Sequence, residues 1–244
     1  MKALLVRVGI DSSYGKWNAP MDPYSKEFVY LPIPESKRSH AHLKRHYTES
    51  LPSLTQFCEK HSINLLSDLK FPSALKGAVM HLDPDFNELT YGDNSARRGA
   101  VLSKMKTEDI IVFYAGLRPI RRCTHKLVYA IIGLYIVDEV IVTAEVNKNR
   151  WHQNAHTRRV NPQSSEVVAR ARKNESGRLE HYIPIGEWRN GAYRVRQDII
   201  NKWGGLSVKN GYIQRSVVPP QFNHPKQFYR WFLKQNVRLI KSNN

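Results

Sequence analysis

The chain has 244 residues, 41% of them hydrophobic and 10% aromatic, which is enough apolar material for a folded core and too much for a disordered or fibrous chain. Its 38 Lys and Arg against 21 Asp and Glu leave a formal net charge of +17, so the natural partner is a polyanion. The longest apolar run, Leu127 to Val137, is about half of the ~20 residues that a bilayer-spanning helix needs, and no membrane association is expected. Cys58 and Cys123 stand far apart, which supports neither a disulfide framework nor a thiolate zinc site. Arg7 interrupts the short apolar run at the N-terminus, where the pattern reads as a strand and not as a signal peptide. A cytoplasmic location is the expectation that follows.

Residues 2 to 10 read as an inner strand and Glu27 to Ile33 as a second, closed by Pro32 and Pro34. Ser50 offers an N-cap, Pro52 suits a first turn, and Leu51, Leu54, Phe57 and Cys58 form an apolar stripe, which predicts a helix over 51 to 61. A short strand from Ala78 leads into His81-Leu-Asp-Pro-Asp-Phe and Tyr91-Gly-Asp-Asn, and a basic helix capped by Ser95 follows from Ala96. Glu108 and Asp109 make the turn before the strand Ile110 to Tyr114. A loop with Arg118, Arg121 and Arg122 joins it to a long strand, Leu127 to Val137, with a bulge at Gly133. The last third carries a strand over Leu179 to Ile185, a helix over Tyr193 to Trp203 ended by Gly204 and Gly205, and an amphipathic helix from Pro225 to Lys234. The expected fold class is α+β: a mixed β-sheet or small β-barrel flanked by helices, in one compact domain over 1 to 244.

The succession from Arg97 to Val137 (basic helix, polar turn, strand ending Phe113-Tyr114, basic loop, then Ile131-Ile-Gly-Leu-Tyr) resembles the core of PUA-like domains of the EVE, ASCH and YTH kind. The resemblance implies a core over about 78 to 146 that sets one base against aromatic side chains, with Tyr114 lining the pocket and Arg97, Arg98 and Arg118 near the backbone. Val6-Arg-Val-Gly-Ile-Asp, Trp17-Asn-Ala-Pro, His81 to Asp93 and Trp203-Gly-Gly resemble the nucleotide-modification-associated families of bacteria and phages. That likeness implies a partner in nucleic acid, DNA ahead of RNA. The oligomeric state stays open.

Trp17, beside Asn18, and Tyr91 lie in Gly-, Asp- and Pro-rich stretches, where stacking on a base and plugging the loop onto the core are both open. Asp83, Asp85 and Asp93 suit either turn capping or hydrogen bonding to bases, and would hold Mg²⁺ were the chain a nuclease. No other cofactor is expected. His152 and His156 stand four apart, but the Glu of H-E-x-x-H is missing, so no metal is assigned to them. With Arg150, Trp151, Arg158 and Arg159 they read as a phosphate-binding cluster or as a His acid beside arginines. Residues 147 to 196 hold eleven Lys or Arg, Arg178 among them, against four Glu, which makes the C-terminal part from about 147 to 244 the basic face. Two functions fit: a reader of bases, modified ones included, using Trp17, Tyr91 and Tyr114, or an enzyme on DNA using Asp83, Asp85 or Asp93 with His152 or His156. No P-loop, G-x-S-x-G or C-x-x-C pattern narrows the second.

Overall fold

A computed structural model of the chain describes residues 1–13, 15–94, 99–214 and 218–244. Its elements are β1 (Ala3–Arg7), β2 (Pro20–Met21), β3 (Ile33–Pro34), α1 (Leu51–Lys60), α2 (Ser73–Lys76), β4 (Met80–His81), β5 (Thr90–Asn94), α3 (Gly99–Leu102), β6 (Ile110–Pro119), β7 (Val128–Val142), β8 (Glu166–Ala171), β9 (Gly177–Pro184), β10 (Gly186–Arg189), β11 (Ala192–Val195), α4 (Gln197–Trp203), α5 (Pro225–Leu233) and β12 (Leu239–Ile240). The fold is α+β, as its mixture of apolar runs and amphipathic stripes requires.

β6 and β7 are central because their residues are buried on both faces, which leaves a near-continuous apolar run in each. β1 pairs with β6 in parallel, and β7 pairs with β6 antiparallel. The outer edge of β7 forks: Ala130 to Leu134 pair with β9, which carries β12, and Val137 to Val142 pair with β8, which carries β5. Strand alternation sends Ile111, Phe113 and Leu117 toward a core that contains Trp17, Phe57, Phe86 and Tyr135. It sends Ile110, Val112 and Tyr114 to the opposite core, with Trp203, Phe228 and Phe232 of α4 and α5. The expected bulge is present: Phe113 faces Gly133 and Tyr114 faces Ile131, leaving Ile132 as the extra residue.

Several expectations change. Among the described residues the sheet does not close into the barrel that the PUA-like resemblance implied. The outer edge of β1 is covered by residues 220–222, through Leu5 N–H on Pro220 O and Phe222 N–H on Ala3 O, so no further strand of the sheet can pair there. Residues 28–32 are buried but make no ladder. Proline at 32 and 34 withholds two donors, and Val29 and Tyr30 instead donate to Pro20 O and Asn244 Oδ1. Ser50 does not cap α1, its hydroxyl lying on Met80 Sδ. The expected helix from Tyr193 begins only at Gln197, because Ala192–Val195 pairs with β10 across an Asn190-Gly191 turn. Ser95, Arg97 and Arg98 lie outside the described residues. No helix among the described residues is long and apolar enough to cross a membrane.

Candidate functional site

Three short pieces of backbone bring a cluster of ionisable side chains together at the β3–β4 end of the fold. β3 and β4 pair with Ile33 opposite His81, so Glu35, just past β3, reaches back to His81: Nδ1 and Glu35 Oε2 are 2.6 Å apart. Asp83 follows His81 by two residues on extended chain, which turns both side chains to one side. Its Oδ1 accepts from Gly92 N–H of β5 at 2.9 Å and from Asn154 Nδ2 at 2.8 Å. Asn154 also receives the N–H of His156 on Oδ1 at 2.9 Å, an Asx turn that aims the His156 ring back at β5. Only glycine at 92 permits this approach, since a Cβ there would stand 2.6 Å from the ring's Cδ2.

The result is His81, Asp83 and His156 in mutual contact. Asp83 Oδ2 lies 3.9 Å from His81 Nε2 and 3.8 Å from His156 Nε2, and the two imidazole centroids are 5.0 Å apart. Behind His156, Nδ1 is 3.5 Å from Glu166 Oε2 and 3.2 Å from Arg159 Nη1, and Arg159 Nη1 holds Glu166 Oε1 at 2.5 Å. Burial sets the electrostatics. It pushes the Asp83 carboxyl up to about 7 against the opposing pull of His81 and the bonds from Asn154 and Gly92. It pushes His156 down to about 4. Burial would also raise Glu35, but the His81 hydrogen bond, the His81 charge and Arg159 outweigh it and hold that carboxyl at about 2. Glu35 is therefore an acceptor only, while Asp83 sits where a proton can be taken or given near neutrality.

Arg159 and Glu166 also form the inner wall of a cavity of about 220 Å³, lined further by Lys37, Arg38, Val160, Asn161 and Gln163. Short antiparallel pairing of residues 38–40 with 158–160 builds it: Ser39 bridges Arg159, His40 N–H donates to Arg158 O and Val160 N–H to Arg38 O. The cavity mouth is basic and its back wall touches His156.

The residues singled out from sequence divide accordingly. Asp83 and His156 meet. His152 does not join them: residues 148–153 form a 3₁₀ turn, not an α-helix, and His152 is half-buried with Glu88 at 3.9 Å. Asp85 is spent elsewhere, its Oδ2 on Arg158 at 2.7 Å and its Oδ1 accepting from Asn87 N–H and Asn243 Nδ2. Asp93 lies on β5 with Tyr91 Oη at 3.3 Å. The three aspartates thus form no shared Mg²⁺ cage. The expected base-stacking residues are core residues. Trp17 is buried, with Nε1 donating to Leu69 O at 2.8 Å; Tyr91 packs on Phe113; Tyr114 donates to Ile213 O at 2.7 Å. None has a free ring face for a base.

Asn18 braces Gly116 O, and Arg118 binds the carbonyls of Asp68 and Leu69. Arg158 and Arg178 are buried, the latter on the carbonyls of Leu179 and Ser242. Arg150 stays exposed, and Trp151 stacks on His40 at 4.9 Å. Sequence reasoning passed over His81, Glu35, Asn154 and Glu166 as functional side chains. The one signal available was the His81-x-Asp83 alternation.

A family model described as nucleotide modification associated domain 3 matches residues 2–209, a span that contains every side chain of the cluster and the cavity. No curated protein and no solved structure matches the chain. The match agrees with the likeness carried by the Trp17, His81 to Asp93 and Trp203 segments, and the chain belongs to the nucleotide modification associated domain 3 family.

Proposed function

We propose that the chain is an enzyme acting on a base or nucleotide within nucleic acid, DNA ahead of RNA, with His81, Asp83 and His156 as its reaction centre. Family membership links the chain to modified nucleotides. The observation that carries the rest is the double role of Arg159 and Glu166, which line the basic cavity and touch His156 at once. Lys37 and Arg38 at its mouth suit phosphate, and the ionisable cluster behind suits proton transfer at a group placed against it. The alternative of a base reader loses its support because Trp17, Tyr91 and Tyr114 are all enclosed.

The test separates binding from chemistry. Lys37→Ala with Arg38→Ala is expected to weaken DNA binding regardless of sequence and to lower the salt slope by about two, near one per lost phosphate contact. Asp83→Asn and His156→Gln should bind like the parent and leave the bases unaltered. DNA carrying normal and modified bases is incubated with the chain, digested to nucleosides and read by mass spectrometry. Nucleosides and strands indistinguishable from those of untreated DNA, and of RNA put through the same incubation, would sink the enzyme and restore the reader.

A further inference from the structure

We propose that His81, Asp83 and His156 bind one divalent first-row transition-metal ion. The inference names the cofactor of the proposed reaction centre and rests on that reading for the ion's use, but not for its binding. One donor atom from each residue falls within 4.8 Å of the other two. Two donors about 2.1 Å from a common ion stand roughly 3.0 to 3.4 Å apart, so side-chain shifts of about 1 Å close the set.

What distinguishes this cluster from an ordinary buried ion-pair network is the use of the other atoms. His81 Nδ1 lies 2.6 Å from Glu35 Oε2 and Nε2 is the atom turned to Asp83, so the neutral tautomer that donates to Glu35 presents Nε2 as the ligand. His156 has Nε2 toward Asp83 and two neighbours behind Nδ1, Glu166 Oε2 at 3.5 Å and Arg159 Nη1 at 3.2 Å; the guanidinium can only donate, so an ion on Nε2 would select the tautomer whose Nδ1 proton turns to Glu166 in place of the Arg159 contact. Glu166 Oε2 is buried with no hydrogen-bond partner among the described residues, and the His156 tautomer that gives its proton to Glu166 both satisfies that oxygen and frees Nε2 as a ligand. Carboxylates behind two imidazoles are the outer-shell arrangement that orients metal-binding histidines. Asp83 Oδ1 is held by Gly92 and Asn154, which fixes Oδ2 on the inner side.

Two imidazoles and one carboxylate suit Zn²⁺, Fe²⁺, Co²⁺ or Mn²⁺ better than Mg²⁺, which prefers an all-oxygen shell. Three protein donors leave at least one position for water or a substrate oxygen, and an ion there would acidify that water toward neutrality.

The full chain, stripped with chelator and without nucleic acid, is titrated with Co²⁺ and then Zn²⁺ while visible absorption is followed. One equivalent of Co²⁺ is expected, with ligand-field bands that Zn²⁺ abolishes, together with a rise in Tm on adding Zn²⁺. Asp83→Asn, His81→Gln and His156→Gln should each weaken binding at least about 100-fold, and Glu35→Gln and Glu166→Gln about 10- to 100-fold. His152→Gln should leave it unchanged. Circular dichroism identifies any variant that fails to fold, and the parent's Co²⁺ spectrum decides the case even then. No stoichiometric ion on the parent, or binding that survives His156→Gln and Asp83→Asn in folded protein, overturns the site. Turnover of nucleic acid without metal would remove the ion and leave the enzyme; a bound ion without any change in nucleosides would do the reverse.

Discussion

Adjacent residues of like charge do unlike things in this molecule, and Arg158 and Arg159 are the clearest pair. Arg158 is buried, its Nη2 on Asp85 Oδ2 at 2.7 Å and its Nε on His152 O at 2.9 Å, so it ties the 152–158 turn to the segment before β5. Arg159 faces the cavity and holds Glu35 and Glu166. Removing one partner of a buried ion pair leaves the other charge uncompensated, whereas an exposed pair is screened by water. Arg158→Ala is therefore expected to lower unfolding stability by about 3 to 5 kcal/mol. Arg150→Ala, whose ion pair with Glu139 at 3.8 Å is exposed, should cost less than about 1 kcal/mol; urea denaturation of both variants checks the contrast. Read along the chain, the two arginines looked equivalent, because Asp85 is 73 residues from Arg158. A basic cluster in sequence says how much charge is present and not which way it points.

At the scale of elements, apolar runs and turn chemistry were legible where local rules dominate. β6, β7, α1 and α5 stand close to where their patterns place them, and the Gly133 bulge follows from a lone glycine inside an apolar strand. That glycine also admits the Phe86 ring: a Cβ at 133 would lie 2.5 Å from Phe86 Cε1 and 3.0 Å from Gly177 O. Gly133→Ala should therefore overpack the forked strand and cost about 1 to 3 kcal/mol, seen as a lower urea midpoint at unchanged slope. Local rules failed at β10–β11, where the Asn190-Gly191 turn outweighed the helical spacing of Tyr193 to Trp203. They failed again at residues 28–32, where burial without free donors made an extended segment and no strand.

Over the whole molecule, the aromatic residues serve the two cores more than the surface. Tyr30, Tyr47 and Tyr135 are buried with their hydroxyls on the carbonyls of Pro84, Pro32 and Asp85, and Tyr182 lies beside Met21. Burial raises all four hydroxyls, that of Tyr182 to about 12. A group whose folded pKa exceeds its unfolded value near 10 adds stability that is whole below pH 10 and is lost as pH rises toward the folded value. The chain should thus hold its stability up to about pH 10 and lose it steeply between about 10 and 12. A tyrosinate absorbance titration should rise together with loss of near-ultraviolet dichroism; tyrosines titrating near 10 in folded protein would contradict the burial.

The amino-acid sequence was sufficient for the α+β class, the central strands, the strong positive charge and the link to nucleotide modification, because each depends on composition, on short periodicities or on segments of contiguous residues. It was insufficient for the site. His81, Asp83 and His156 meet only through the β3–β4 register, the Gly92 approach and the Asn154 turn, and Trp17 and Tyr114 became core only once the two faces of the sheet were covered. Those outcomes belong to long-range packing: burial and charge pairing are properties of what surrounds a side chain, and the surroundings are supplied by residues tens of positions away.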